Sequence, residues 1–307
     1  MQRYGIKKDN KLNFVAPRVF SLKDNPEETI VFFEKIINRR NSQRTHTSLF
    51  IDSSKVDVLD ITAIMYLVAI IRDVHRNKVH RCRFEGNLPD NEEARRVFIN
   101  SGFLDYVHVN GKIKTNNTDK KRIQIVFDKE VDGPLAKLIC NFVHEACGYS
   151  RIDTFPLYNI LVEMMTNTTQ HAYKKGINGV NGWYLYAENL NDRVRFVFLD
   201  TGLGIPTTVR KNFWEKVLPL SRDCDLVKSA LDGEYRTQTK LENRGKGLPQ
   251  ISDCFSKGLL QNVFIYSGQG CCKLTNVNKN YDLLEYNGKI FGTLFSWEIL
   301  KKGEQLC

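Results

Sequence analysis

Apolar and polar positions in the first hundred residues follow two periods that alternate along the chain. Residues 48–52 are a short, largely apolar run, which is the pattern of a buried strand, and residues 81–85 are predicted as another strand. Residues 60–76 are apolar almost all round over the length of a helix, and residues 91–101 have helical spacing that stops at Gly102. The pattern therefore predicts strand, helix, strand and helix.

The second half of the chain predicts a longer series of elements. Its opening strand alternates apolar and polar residues, and two helical stretches follow before a pair of strands. A glycine-rich segment then opens another helix, and a late strand follows it. The predicted elements are a strand (122–128), two helices (133–147 and 154–174), paired strands (182–200), a helix opening within 243–251 and a strand (289–298).

A polar, charged stretch rich in turn formers separates the two halves at residues 112–122. The chain has 307 residues, and domains hold roughly 100–200 residues each, so the sequence predicts two domains. We expect these domains to span residues 1–115 and 120–307. The order of elements predicts an α/β class: a small mixed sheet with helices, then an α/β sandwich with helices on one face of a mixed sheet.

The composition is that of an ordinary folded protein, with 42% hydrophobic and 26% charged residues. The longest apolar run, residues 61–71, is shorter than the roughly 20 residues of a membrane span. The amino terminus carries no secretory apolar region. We therefore expect a cytoplasmic protein without a membrane partner. The eight cysteines have no CxxC spacing, which indicates neither a zinc site nor a disulfide framework.

The formal net charge of +10 is compatible with nucleic acid, an acidic protein or an anionic nucleotide as partner. Basic residues are spread along the chain without a long cluster, so most of them are expected on a solvated surface. The charge leaves a nucleic-acid partner undecided.

Three polar residues of the helix at 154–174 lie four positions apart: Glu163, Asn167 and His171. At 3.6 residues per turn they share one side of the helix, so a carboxylate and an amide can converge on one ligand. Such a row by itself is more typical of a solvated stripe.

A second motif follows the strand at 194–200, where Asp200 is succeeded by Gly202 and Gly204. Glycine permits positive φ and close approach of the backbone to a ligand, and a carboxylate at the strand end can accept a hydrogen bond from an exocyclic amine. A strand followed by an ordinary glycine turn is the alternative interpretation.

Two further glycine motifs complete the set. The segment Arg244-Gly245-Lys246-Gly247-Leu248 opens a helix, where free backbone amides suit phosphate oxygens and the two basic side chains can add charge. The pair Gly292-Thr293 lies in the late strand.

Together these motifs resemble those of the GHKL superfamily, whose members include gyrase, heat-shock chaperones, histidine kinases and mismatch-repair ATPases. The Glu163–Asn167 pair, the two glycine motifs and the final Gly292-Thr293 occur in that superfamily's order, across about residues 122–300. The resemblance implies a Bergerat fold that binds ATP with Mg²⁺.

The resemblance also implies a role for each matching residue. Asn167 would bind Mg²⁺, and Asp200 would recognise adenine, helped by Thr293 through water. Gly202 and Gly204 would line the base pocket. Glu163 would position and activate water in the hydrolysing branches, or a protein hydroxyl in the anti-sigma-factor Ser/Thr kinases.

At the phosphate end, backbone amides at Gly245 and Gly247 would reach the phosphates, and residues 205–243 would be the ATP lid. The sequence departs from the family pattern at Asn243, where a third glycine is common, and at Gln170, where many kinases have a basic residue. Phosphate contacts would then fall to Arg244, Lys246 or His171.

Residues 13–110 resemble the STAS domains of anti-sigma-factor antagonists in their element order and in the segment Asp60-Ile-Thr62-Ala. Such domains often carry a phosphorylated Ser or Thr at this helix start, which falls near Thr62. The other interpretation is that Thr62 satisfies free backbone donors of the helix.

Three functions follow from these resemblances. The first is a signalling ATPase or Ser/Thr protein kinase whose STAS-like half is its regulator or substrate, with phosphate on Thr62, Ser53 or Ser54. The second is a nucleotide-sensing, partner-switching module with little turnover. The third is an ATP-gated clamp acting on DNA or protein. We expect a protein partner of the regulator or sigma/anti-sigma type and a possible homodimer.

Overall fold

The computed structural model describes residues 10–42, 47–76, 82–107, 121–171, 182–213, 220–234, 247–276 and 280–303. These residues fall into two compact units, 10–107 and 121–303. Helices and strands occur together in both units, so the chain belongs to the general α/β class.

The first unit contains three main strands, three helices and one short 3₁₀ turn. The strands pair in the order β1-β3-β5, all parallel, and β2 pairs with β4 as a separate parallel ribbon. Its elements are β1 (Asn10–Val15), β2 (Val19–Phe20), α1 (Pro26–Ser42), β3 (Thr47–Asp52), β4 (Val58–Leu59), α2 (Ile61–Arg76), β5 (Cys82–Gly86), α3 (Glu92–Asn100) and the 3₁₀ turn (Phe103–Tyr106).

The helix α2 forms the centre of this unit, because every residue from Ile61 to Ile71 is buried. The predicted all-round apolar helix is thus confirmed. Asp60 precedes α2, and its Oδ1 accepts a hydrogen bond from the Thr62 backbone N–H at 2.9 Å. The stop at Gly102 is confirmed as well, since this glycine has φ +83°.

The second unit is built on a five-stranded sheet in the order β6-β7-β8-β10-β9, in which every neighbouring pair is antiparallel. Five helices accompany the sheet. The elements are β6 (Arg122–Asp128), α4 (Gly133–Cys147), α5 (Phe155–His171), β7 (Trp183–Asn189), β8 (Arg193–Asp200), α6 (Ile205–Asn212), α7 (Asp223–Leu231), α8 (Gly247–Ser256), β9 (Gln261–Asn276) and β10 (Asn280–Leu300).

The prediction of mixed sheets is wrong for the described strands. In the first unit α1 and α2 connect successive strands of the sheet, and such crossovers return the chain in the same direction. In the second unit three residues separate β7 from β8, and three separate β9 from β10, so both connections are hairpins. Strand direction therefore follows the connections, and each sheet has one type of pairing.

One apolar cluster joins the sheet to α4, α5, α7 and α8. On the strands it takes alternate residues, for example Trp183 and Leu185 of β7 and Phe196 and Phe198 of β8. Because side chains alternate across a strand, these four helices pack against one face of the sheet. The intervening residues, such as Leu199, are also buried. This double burial explains why β8 is almost continuously apolar.

The helix α7 is fixed tightly against the hairpin of β9 and β10. Both carboxylate oxygens of Glu285 accept hydrogen bonds from the first backbone amides of α7, those of Asp223 at 3.0 Å and Cys224 at 2.9 Å. The Asp223 carboxylate in turn accepts a hydrogen bond from the Gln269 backbone N–H at 2.8 Å. A Cβ on Gly270 would overlap the backbone of Asp223 and Cys224.

This anchoring corrects the predicted lid. The described parts of the stretch 205–243 are α6 and α7, and the buried residues Leu226, Val227 and Leu231 hold α7 in the core. These two helices belong to the packed domain, because α6 packs against α7 and β9, and α7 packs against β9 and β10. Residues 214–219 and 235–243 lie outside the described residues. Within the described part of the chain, no helix is long and apolar enough to cross a membrane.

Replacing Gly270 with alanine is expected to lower the free energy of unfolding by about 3 kcal/mol or more, because the new Cβ would displace the backbone of α7. Chemical denaturation followed by circular dichroism measures this loss. Gly148→Ala is the control. That glycine ends α4 at φ +76° with nothing within 4 Å of its Cβ position, so only backbone strain of about 1–2 kcal/mol is expected. Equal losses in the two variants would contradict the close approach of α7 to β9.

Candidate functional site

Asp200 lies at the end of β8, directly opposite Thr293 of β10. Its half-buried carboxylate accepts a hydrogen bond from the Gly202 backbone N–H at 2.8 Å. Burial raises the pKa of Asp200 to about 6, against the opposing effect of hydrogen bonds from Gly202 and from the side chain and backbone of Thr293. A carboxylate that is desolvated yet partly exposed at a strand end is suited to accept a hydrogen bond from a ligand.

Two glycines near Asp200 have positive φ angles, and neither position has room for a Cβ atom. Gly204 has φ +80°, and a Cβ there would stand 2.9 Å from the Gly292 carbonyl oxygen. Gly292 has φ +75°, and a Cβ there would overlap the Asp200 backbone. The segment that begins at Asp200 and the Gly292-Thr293 pair, which are distant in sequence, therefore approach each other closely at these two glycines.

Ser267 of β9 is a residue of this site that sequence reasoning missed. Its side chain is fully buried, and its Oγ lies 2.9 Å from the Ile205 nitrogen, 2.9 Å from the Gly292 carbonyl oxygen and 3.0 Å from Thr293 Oγ1. A serine inside an apolar strand gave no motif. The only available signal was a small polar residue, followed by glycine, within an otherwise buried strand.

The helix α5 carries the predicted magnesium and general-base residues. Core residues such as Leu157, Leu161 and Met164 form its buried stripe, and at 100° per residue Glu163 and Asn167 lie along one flank of that stripe. Both side chains are half-buried.

The Asn167 side chain makes no hydrogen bond within the described part of the chain. An amide oxygen is a ligand that Mg²⁺ accepts. His171 ends the helix, and its side chain lies outside what the structure describes.

The helix α8 begins at Gly247, as the glycine motif predicted. It has no acidic residue in its first turn, and the amino-terminal end of the helix dipole favours an anion. Leu248 packs against the core cluster, and α8 packs against α5. Arg244, Gly245 and Lys246 lie outside the described residues.

The structure thus joins Asp200, Gly202, Gly204 and Thr293 through direct contacts, while α5 and α8 meet in the same core. Among the described residues, no three His, Cys, Asp or Glu side chains form a group that could hold a metal ion.

The three candidate phosphate acceptors of the first unit differ in exposure. Thr62 and Ser53 are buried to 1% exposure, whereas Ser54 is half-buried. The Thr62 hydroxyl donates to Asp60 and accepts from the Leu22 backbone N–H at 3.2 Å. The side chain that caps α2 is that of Asp60, so the predicted cap role of Thr62 is wrong. With both of its contacts made, the Thr62 hydroxyl is closed to a phosphate donor in this conformation.

No family model matches this chain, and no curated protein matches it.

Asp200→Asn is expected to make the ligand-free protein more stable than the wild type at pH 7. The folded pKa of about 6 lies above the ordinary value near 3.8, so the wild type loses stability as pH rises through that interval. The variant has no such loss, and its advantage should grow by on the order of 1 kcal/mol between pH 5 and pH 7. Urea denaturation at both pH values measures this difference. A constant difference would show that Asp200 ionises without a folding cost.

Proposed function

We propose that residues 121–303 bind Mg²⁺-ATP as a Bergerat-type domain of the GHKL superfamily, and that the chain uses this domain for ATP hydrolysis or phosphoryl transfer. The observation that carries the proposal is the pairing of Asp200 with Thr293 beside two positive-φ glycines. This arrangement unites residues of two sequence motifs at one end of the sheet.

The base end of the proposed site is selective through charge. The Asp200 carboxylate would accept a hydrogen bond from the exocyclic amine of adenine. Guanine presents a carbonyl oxygen at the equivalent position, which a carboxylate would repel. Gly202 and Gly204 have no side chains, so the base can approach the backbone closely.

The phosphate end of the proposed site would be formed by α8 and α5. The backbone amides in the first turn of α8, beginning at Gly247, would donate to phosphate oxygens, helped by the helix dipole. Asn167 would hold Mg²⁺ together with those oxygens, and this ion would neutralise charge on the phosphates. Packing of α5 on α8 supports the proposal, because it fixes the two helices that would share the triphosphate.

Glu163 is one helical turn before Asn167 on the same flank of α5. In the proposed reaction its carboxylate accepts a proton from the attacking group, which is water in hydrolysis and a protein hydroxyl in a kinase. General-base help of this kind contributes about 10²–10⁴ in rate.

The burial of Thr62 and Ser53 favours an acceptor other than these two hydroxyls. We therefore propose water, or a hydroxyl of a separate protein, as the group that attacks the phosphate. The STAS-like unit then serves as a regulatory or interaction domain for a partner of the regulator or sigma/anti-sigma type, and a homodimer fits the same signalling role.

The proposal is tested with γ-labelled ATP and Mg²⁺ on the full chain. Glu163→Ala should still bind ATP, but its rate of phosphate release should fall by a factor of about 10²–10⁴. In Asn167→Ala, Mg²⁺ should no longer change the affinity for ATP. Asp200→Asn should lose the rise in melting temperature that ATP gives the wild type. Glu145→Ala, which removes an exposed carboxylate on α4, should behave as wild type.

The outcomes separate the possible functions. Label retained on the chain would indicate internal phosphorylation, and label passed to an added protein would indicate a kinase. ATP binding without turnover, unchanged in Glu163→Ala, would replace the catalytic role with a nucleotide-sensing module. A wild-type chain that binds no ATP would refute the proposal.

A further inference from the structure

The helix α6 begins without a capping side chain of its own. Its N-cap residue is Gly204, and no side chain there accepts a hydrogen bond from the first turn. A helix start leaves backbone N–H groups without partners, and burial makes an unpaired donor costly. The Ile205 N–H instead donates to Ser267 Oγ of β9 at 2.9 Å, so a residue 62 positions away supplies this partner.

The Ser267 hydroxyl also contacts a residue at the base end of the proposed site. Ser267 Oγ lies 3.0 Å from Thr293 Oγ1, and Thr293 stands directly opposite Asp200, whose pKa its hydroxyl lowers by hydrogen bonding. A hydroxyl has one proton, and the bond to a carboxylate is the stronger because it is charge-assisted. Thr293 therefore donates to Asp200. Ser267 is then the donor to Thr293, and it shares its proton with the Gly292 carbonyl oxygen at 2.9 Å.

These contacts form one directed chain of donors: Ile205 N–H to Ser267, Ser267 to Thr293, and Thr293 to Asp200. Each bond in such a chain polarises and strengthens the next. The chain is buried, since Ser267 is fully buried and Thr293 is 2% exposed, so water cannot replace a lost member easily.

We infer that Ser267 is a positioning residue, which orients the Thr293 hydroxyl toward Asp200. Through this residue, base recognition is coupled to the packing of the start of α6 against β9. This inference rests on the proposed function, and it adds a regulatory link to that site. Any partner that pulls the start of α6 away from β9 would weaken the Asp200 end, and a bound adenine would by reciprocity hold α6 in place.

The test compares Ser267→Ala with Ser296→Ala, a buried serine of β10 that lies three residues beyond Thr293 and therefore on the opposite face of the strand. Carbon-13 NMR follows the titration of the Asp200 carboxyl. Its resonance is assigned as the one that is missing from the spectrum of Asp200→Asn. Isothermal titration calorimetry measures ADP binding at pH 8, where Asp200 is ionised in every variant.

Ser267→Ala should raise the pKa of Asp200 above its wild-type value, because the hydrogen bond to the ionised form weakens. Its dissociation constant for ADP should rise about three- to tenfold, which is the loss expected for one hydrogen bond. Ser296→Ala should change neither quantity. Ser267→Cys, which keeps the size of the side chain but bonds weakly, should resemble Ser267→Ala and decides the matter if the alanine variant does not fold.

An unchanged pKa of Asp200 in a folded Ser267 variant would overturn the inference. An unchanged affinity for ADP in that variant would do the same. If the wild type binds no ADP, the proposed function fails, and the carboxyl titration alone still decides whether Ser267 acts on Asp200.

Discussion

The unbroken pairing of β8 with β10 is the constraint on which the candidate site depends. Eight consecutive residue pairs join the two strands, from Arg193 with Leu300 to Asp200 with Thr293. A slip of one residue would turn Thr293 to the other face of the sheet. Glu298 opposes such a slip, because its buried carboxylate accepts hydrogen bonds from both Arg193 and Arg195 of β8, at 3.1 and 3.3 Å. An ion-paired cluster at one end of the ladder therefore holds the register of the site at the other.

The pairing of β9 with β10 is irregular where it passes the same site. Register shifts fall on both sides of Ile290, and Gly268 and Gly292 have positive φ there. These irregularities release backbone from the ladder, and this part of the sheet gives room to Gly204 and to the start of α7. The regular ladder to β8 fixes the position of Asp200, and the irregular ladder to β9 gives Ser267 access to it. Both ladders meet at Thr293.

Local patterns in the sequence were sufficient for many elements. The helix α4 and the strand β6 have the predicted bounds, because each shows an uninterrupted period and a clear end: Gly148 has φ +76° after α4. Asp200 was identifiable because a carboxylate directly after an apolar strand is an unusual ending. The helices α6 and α7 were not identified as packed elements. The start of α7 is bonded to Glu285 and the start of α6 to Ser267, both far along the chain, and no local period encodes such contacts.

The direction of the strands shows a second limit of sequence reasoning. Apolar runs predict buried strands, but the direction of pairing depends on connections whose length is ambiguous until element bounds are known. Ser267 was missed for a related reason. Its three contacts come from segments 62, 25 and 26 residues away, and each looks ordinary within its own segment. Only the folded arrangement reveals that one hydroxyl serves all three.

The two units contrast in how they treat buried polar groups, and this contrast bears on which of them contains a reactive site. The Thr62 hydroxyl has both a donor and an acceptor, so its polarity is fully used by the fold. Asp200 keeps a desolvation cost that its hydrogen bonds do not cancel, since its pKa remains raised to about 6. Departures from local stability rules concentrate at functional sites, where a ligand supplies the missing interaction. By this criterion Thr62 is a structural residue, and the end of β8 is the place where we propose that the protein binds a ligand.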